Sequence, residues 1–370
     1  MDKVVIELLI SITILFITKK RYIVYRSSMA RKKDIKIILD TYGNYLGINK
    51  GCIVLRDKDR NETKYPLVED TVGEIVLNSG NMVSTGLLTY LAVWGIDVLI
   101  STRYGKPIAM LKDLDDDMHV ETRVSQYRGL TNGKGCYLAK KFVEGKMIGQ
   151  NSLLEKYGLE TDYSYVKKVK ACKEKKLYIL RKRLLGLEGK FCRFYFKQIF
   201  PLFPEEIRPM YRSSYRAYDG VNNLFNLAYR ILFWKCYRGL LQAHLEPYLG
   251  YLHKMELGRP SMVCDFLELY RHLVDGFLIE YCKNLGPDDF KPKKEKVGKR
   301  KMGKRVYLKD DLSKEMVHEL FDYFETKFYI PRVKRGRRQE LETLINEEAF
   351  RISRYLRLKG ESWVPGIPLP

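Results

Sequence analysis

Between residue 35 and about residue 111, short apolar runs alternate in and out at a period of two, and Gly, Asn or Asp closes each run. That pattern predicts strands over 35–39, 45–48, 52–56, 64–66 and 74–77. Tyr42-Gly43-Asn44 and residues 56–61 read as hairpin turns, and Tyr104-Gly105-Lys106-Pro107 as a third. A short helix over 85–93 and a buried strand over 96–100 complete this part. From Val120 onward the period lengthens: apolar residues recur at i, i+3/i+4 and i+7. Helices are expected over 123–130, 136–157, 165–185, 190–199, 222–244, 261–283, 312–327 and 338–359, with a short β element near 306–308.

The change of period divides the chain. Residues 29–112 form a small β-rich N-terminal domain, residues 113–119 an acidic linker around Asp113-Leu114-Asp115-Asp116-Asp117, and residues 120–370 a larger all-α domain. The fold class is therefore α+β. Residues 289–310 (DFKPKKEKVGKRKMGKRVYLKD) break the helical pattern with dense positive charge, two Gly flanking basic runs and a Pro, and read as a basic mobile loop. No internal repeat is visible.

Composition adds a partner class. The 370 residues are 45% hydrophobic and 30% charged, a globular balance, yet the formal net charge is +22. Such an excess points to a polyanion. Nucleic acid and anionic lipid both qualify, and charge alone does not choose between them. The apolar run Val4 to Ile17 is too short to span a membrane, which takes roughly 20 apolar residues, and it carries Glu7. Lys19, Lys20 and Arg21 follow it, the reverse of a secretory signal. Residues 1–28 read as an upstream extension ahead of a start near Met29, so no membrane role is expected. Seven scattered cysteines without a CxxC pair fit small buried residues in a reducing, cytoplasmic compartment better than disulfides or a zinc site.

Candidate chemistry gathers around His253, one of five histidines. It follows a long predicted helix that Pro247 and Gly250 interrupt, so its ring can point between helices. Asp265 and Glu268 come 12 and 15 residues later in Arg259-Pro260-Ser261-Met262-Val263-Cys264-Asp265-Phe266-Leu267-Glu268, three apart on one predicted helix. Carboxylates set into an apolar segment need a cation or several donors to stay ionised. A divalent ion held by two carboxylates and a histidine satisfies all three groups, and mixed N/O ligation suits Mn2+, with Mg2+ the alternative. The competing reading is an ion pair between Glu268 and Arg271, with His253 as a cap or core residue. Glu188, between Gly186 and Gly189, is by spacing no more than a helix N-terminal acid.

Several segments resemble one known family. Tyr218-Asp219-Gly220-Val221-Asn222-Asn223-Leu224 is similar to the D-P-x-N-x-L helix start of the CRISPR-associated protein one family. Leu245-Glu246-Pro247-Tyr248-Leu249-Gly250-Tyr251-Leu252-His253 resembles its L-x-P-x-x-G-x-L-H, and Arg259 to Glu268 its R-x-S-L-x-x-D-x-x-E/D. Residues 68–77 with 88–100 look like its β-domain, and Arg123 to Tyr127 like the start of its helical domain; the likeness runs over roughly residues 34–365. Gly220 departs from the family's proline, and Glu268 stands where many relatives carry Asp.

The resemblance implies a DNA integrase and endonuclease of CRISPR spacer acquisition, using Mg2+ or Mn2+. Glu188, His253 and Glu268 become metal ligands and catalytic residues, with Asp265 an adjacent acid. A 3′-hydroxyl of captured double-stranded DNA would attack a phosphodiester in CRISPR repeat DNA. A homodimer formed through the N-terminal domain and a small second adaptation protein are the implied partners. Basic and aromatic runs are candidates for phosphate contact: 167–176 with 181–183, 291–305, 332–338 and Tyr211 to Arg216, with Arg212, Tyr215, Arg216, Lys299, Arg300 and Arg305 named individually. A nucleic-acid-binding scaffold without catalysis, a structure-specific repair nuclease and a membrane-associated basic protein remain the competing classes.

Overall fold

The computed structural model describes residues 34–39, 42–66, 71–94, 96–101, 107–111, 120–214, 217–296, 302–331, 336–358, 360 and 362–370. The extension 1–28, the linker 113–119, the turn at 104–106 and Tyr215, Arg216, Lys299 and Arg300 lie outside the described residues. The chain falls into two compact units, one ending at Asp117 and the other beginning at Met118.

In the first unit, β1 (Asp34–Leu39), β5 (Thr71–Asn78), β7 (Asp97–Ser101) and β8 (Pro107–Leu111) make one sheet in the order β1-β5-β7-β8. β1, β5 and β7 run parallel; β8 returns antiparallel to β7. A second sheet, β4-β3-β2-β6, is built from β2 (Tyr45–Asn49), β3 (Cys52–Arg56), β4 (Glu62–Pro66) and β6 (Met82–Val83). Lys50 (φ 47°) and Gly51 (φ 75°) close the β2–β3 hairpin, the left-handed pair that matches strand twist. Alternation places Ile37, Leu39, Ile75 and Leu77 inside. Leu87 and Leu91 of α1 (Thr85–Val93), fully buried, pack with them, and Ser84 caps the helix by accepting the Leu87 N–H.

The second unit is helical but not all-α. Its helices are α2 (Val120–Arg128), α3 (Lys134–Lys156), α4 (Ser164–Lys170), α5 (Leu177–Ile199), α6 (Gly220–Gln242), α7 (Ser261–Leu267), α8 (Arg271–Tyr281), α9 (Asp310–Glu325) and α10 (Leu341–Arg357). α3 packs against α4, α5, α7 and α8, and α6 against α7, α8 and α10. Two antiparallel hairpins interrupt the helices: β9 (Phe290–Lys296) with β10 (Met302–Leu308), and β11 (Lys327–Ile330) with β12 (Arg337–Glu340).

These hairpins correct the expected all-α domain and the expected loop over 289–310. β9 carries Lys or Glu at five of its seven positions, so no apolar alternation announces it, whereas the end of β10 contains the β element expected near 306–308. Their pairing is carried by the ladder and by contacts such as Tyr307 Oη to Glu295 at 3.0 Å. The first residues of the helix expected over 338–359 are strand β12 instead. The stretch expected as helices 165–185 and 190–199 breaks earlier, after Lys170; α5 then runs unbroken through Gly186 and Gly189, which face open space. The helix expected over 261–283 breaks at Glu268–Tyr270, where amides bond three residues back.

Asp219 caps α6 by accepting the Asn222 N–H at 2.7 Å. A Cβ on Gly220 would lie 2.1 Å from the Phe290 ring, which explains why glycine, not proline, stands here. All seven cysteines are free, and among the described residues no helix is long and apolar enough to cross a membrane.

Candidate active site

Close packing of α8 on α3 builds the centre of the site. A Cβ on Gly145 would lie 2.5 Å from Leu269, and one on Gly149 2.3 Å from His272 Nδ1. Only glycine at these two positions lets the backbones approach this far. Between them, Lys146 of α3 donates to Glu188 Oε1 of α5 and stands 2.8 Å from Glu268 Oε2, at the end of α7. Arg271 Nε approaches the same Glu268 oxygen at 2.9 Å. The Lys146, Glu188 and Glu268 side chains are 7%, 13% and 2% exposed, so the pairing is made away from water.

Electrostatics follow from that enclosure. Burial opposes the charge on Lys146, but Cys192, Glu188 and Glu268 together hold its ammonium well above the ordinary range. Burial likewise opposes ionisation of Glu268, and Arg271 and Lys146 override it, holding the carboxyl well below the usual carboxylate range.

His253 is positioned by backbone bonding. α6 ends at Gln242, and the chain turns through His244 in a left-handed conformation (φ 59°). Gln126 of α2 then clamps the returning loop, accepting the Glu246 N–H at 2.7 Å and donating to the carbonyls of Glu246 and Leu249. Ser261 accepts the Gly250 N–H at 2.8 Å. Asp265, fully buried on α7, receives the next three amides: Tyr251 and Leu252 N–H on Oδ2, His253 N–H on Oδ1 at 2.8 Å. Its Oδ1 also accepts from His253 Nδ1 at 2.7 Å. One carboxylate therefore fixes both the backbone and the ring of His253. Burial pulls the imidazole pKa down; Asp265, Glu268 and Glu188 outweigh it and raise the value.

The sequence-predicted residues thus fall into two connected pairs. Glu188 and Glu268 share Lys146, and His253 is bound to Asp265, while both glutamates influence the imidazole charge. Among the described residues no three His, Cys, Asp or Glu side chains are drawn together in ligating geometry; the cation between the glutamates is an ammonium. The Glu268–Arg271 ion pair weighed as the competing reading is also present.

Lys146 escaped sequence reasoning, and so did a second network. Asp275 of α8 is fully buried and accepts the hydroxyls of Tyr195 (2.7 Å) and Tyr229. Burial pushes its carboxyl up to about 6 despite both phenols. Arg271 stacks on the Tyr229 ring at 4.5 Å and so links this network to Glu268. The available signal was a charged residue set among apolar neighbours: Lys146 before Met147-Ile148 in Phe142-Val143-Glu144-Gly145-Lys146-Met147-Ile148, and Asp275 in Leu273-Val274-Asp275-Gly276-Phe277.

Of the named DNA contacts, Arg212 spends its guanidinium internally, on Asn222 and Asn226 and against the rings of Phe225 and Tyr229. Arg305 faces Glu295 at 3.6 Å on the β9–β10 hairpin. Arg181 donates to the Tyr251 carbonyl at 3.0 Å, next to the His253 loop, and Arg183 pairs with Glu174.

A family model described as CRISPR associated protein Cas1 matches residues 37–320. The CRISPR-associated endonuclease Cas1 of Korarchaeum cryptofilum is 28% identical over 276 residues, covering 69% of this chain and 80% of that protein. Among solved structures, a casposase bound to integration product superposes with a TM-score of 0.71 at 19% identity, over 88% of this chain and 92% of its own. A chain of a Cas6-RT-Cas1--Cas2 complex gives 0.68 at 19% identity, over 92% of this chain and 36% of that one. At such identities these two likenesses speak to the fold.

Proposed function

The chain belongs to the CRISPR-associated protein Cas1 family, and from that premise we propose that it is a divalent-metal-dependent DNA integrase and endonuclease of CRISPR adaptation. The observation that carries the reading is the convergence of Glu188 and Glu268, 80 residues apart, on one buried cation beside an imidazole whose Nδ1 is taken by Asp265. That donor set fits a hard divalent ion. Glu188 and Glu268 supply carboxylate oxygen, and His253, with Nδ1 fixed, keeps Nε2 for ligation.

Mg2+ or Mn2+ held by Glu188, His253 and Glu268 would supply Lewis-acid stabilisation of the phosphate and activation of the attacking hydroxyl. The chain's own residues do the rest. Asp265 sets the tautomer and orientation of His253. Arg271, stacked on Tyr229, holds Glu268 in place and adds fixed positive charge near the reacting phosphodiester. In the reaction a 3′-oxygen forms a new bond to phosphorus, the bond to the former 3′-oxygen breaks, and that oxygen leaves with the proton. Water in place of the hydroxyl makes the same site a nuclease.

Double-stranded DNA with 3′-OH ends and CRISPR repeat DNA are the substrates, with lysines of 167–176 and of the β9–β10 hairpin as phosphate contacts. A second copy of the chain and a small second adaptation protein complete the assembly; the Cas6-RT-Cas1--Cas2 complex is named for such a partner.

A strand-transfer assay with labelled DNA and Mn2+ or Mg2+ tests the proposal. Joined product from the wild type should vanish in Glu188→Ala, His253→Ala and Glu268→Ala proteins that still fold. Joining retained by these variants would refute it, and cleavage without joining would select a repair nuclease.

A further inference from the structure

Lys146 is a buried ammonium in mid-helix, and among the described residues its hydrogen-bonding and ion-pair partners are the two glutamates alone. Arg271 differs: it reaches Glu268 too, but its guanidinium is also stacked on Tyr229 and keeps that support if Glu268 moves. Lys146 sits where a cation must sit, since two carboxylates this enclosed repel one another strongly without one.

Charge counting shows what the site can accept. With Lys146 in place, Glu188 and Glu268 face two cations, Lys146 and Arg271, and Asp265 faces the His253 ring. With Lys146 withdrawn and His253 neutral, as a ligating imidazole must be, the three carboxylates exceed Arg271 by two negative charges, the match of a divalent ion. An ammonium and a divalent ion sharing the same two carboxylates in a water-poor pocket would instead repel each other. A lysine is also suited to leave: a compact charge on a flexible four-carbon stem, with no planar fork to hold it.

We infer that Lys146 is a resident counter-ion of the Glu188–Glu268 pair that a divalent metal displaces, so that loading the site is an exchange of cations and not an addition to free ligands. The inference rests on the reading that these glutamates ligate the metal. It gives the protein a way to keep its carboxylates charged and in place before loading, at the cost of weaker metal affinity.

The test is Mn2+ binding to the full chain without DNA, read by electron paramagnetic resonance of free Mn2+ and by thermal melting. Lys146→Met should bind Mn2+ at least tenfold more tightly than wild type. It should melt lower than wild type without metal, and gain more on Mn2+ addition, because the metal then replaces a missing cation. Lys146→Arg, which keeps a cation, should bind no more tightly than wild type. Affinity unchanged or weakened in Lys146→Met would overturn the inference, since that is what a residue merely positioning the ligands gives. Should Lys146→Met unfold, Lys146→Gln carries the same test, and Mn2+ should restore the fold of either; failure to restore both also overturns it. If neither wild type nor variant binds Mn2+, the proposed ligand set falls with it, whereas equal binding by both removes the exchange alone.

Discussion

Asp265→Asn isolates what holds His253 ready, because it keeps the size of the side chain and changes one face of it. The carboxylate accepts four N–H groups: Tyr251 and Leu252 on one oxygen, the His253 amide and Nδ1 on the other. Asparagine best keeps its oxygen toward Tyr251 and Leu252, which puts its NH2 toward His253. The His253 amide then faces a donor and is left unpaired in a buried place, at about 1–3 kcal/mol. Loss of the charge-assisted part of the remaining bonds adds about 1 kcal/mol. The folded state should therefore lose about 2–4 kcal/mol.

The functional effect is of another kind. Facing an NH2 group, Nδ1 becomes the acceptor, the ring proton moves to Nε2, and the lone pair needed for ligation is gone. Metal affinity should fall by roughly 10–100-fold, more than a small loss of stability explains. Imidazole nitrogen NMR of histidine-labelled protein reads the tautomer, Mn2+ titration reads the affinity, and melting separates both from unfolding. A variant whose His253 keeps its proton on Nδ1 and binds Mn2+ like the wild type would refute the reasoning, whatever its stability.

Other substitutions probe the surrounding frame. The Asp275 carboxyl, raised from 3.8 to about 6, takes up a proton on folding between these values. Its contribution is present below pH 4 and is lost as pH rises through 6, a swing of about 3 kcal/mol; Asp275→Asn should flatten that part of the stability-against-pH curve, and an unchanged curve would contradict the shift. Gly149→Ala sets a Cβ 2.3 Å from the buried His272 ring and should cost about 1–3 kcal/mol in denaturant melts, with weaker Mn2+ binding because α8 is pushed off α3. Gly186→Ala, on α5 with open space around it, should instead stabilise by about 0.5–1 kcal/mol; equal effects of the two would mean that the close approach of α3 and α8 is not what glycine serves.

How much of this was legible in the sequence depends on where the charges go. Helix α1 is observed over the residues that the pattern predicts, and β3 likewise, because Leu87, Leu91, Ile53 and Val54 are apolar and buried. Of the β9–β10 hairpin only the end of β10 was legible, as the short β element expected near 306–308, where Val306, Tyr307 and Leu308 stand; β9 was not, because five of its seven residues are Lys or Glu. His253, Asp265 and Glu268 could be nominated from spacing, since a Gly/Pro break and a short apolar helix bring them near one another in the chain. Glu188 could be nominated only through resemblance: nothing local marks a mid-helix acid whose partner, Lys146, lies 42 residues away.

The misses at the site share one physical cause, and it bears on the proposed function. A pattern of apolar and polar positions assigns charged residues to water, so it misreads every charge that the fold buries. Lys146, Asp265, Glu268 and Asp275 are all buried, each on or at the end of a helix that packs into the core. Each is kept there by a named partner: a carboxylate pair, three backbone amides with an imidazole, two cations, two phenols. A core that only had to be stable would replace such groups with apolar ones at little loss. Removing any one member leaves the others uncompensated, so these groups persist as a set. The places where hydropathy fails along α3, α7 and α8 are therefore the places where the chain buries charge, and under the proposed function Lys146, Asp265 and Glu268 are the charges that surround the metal.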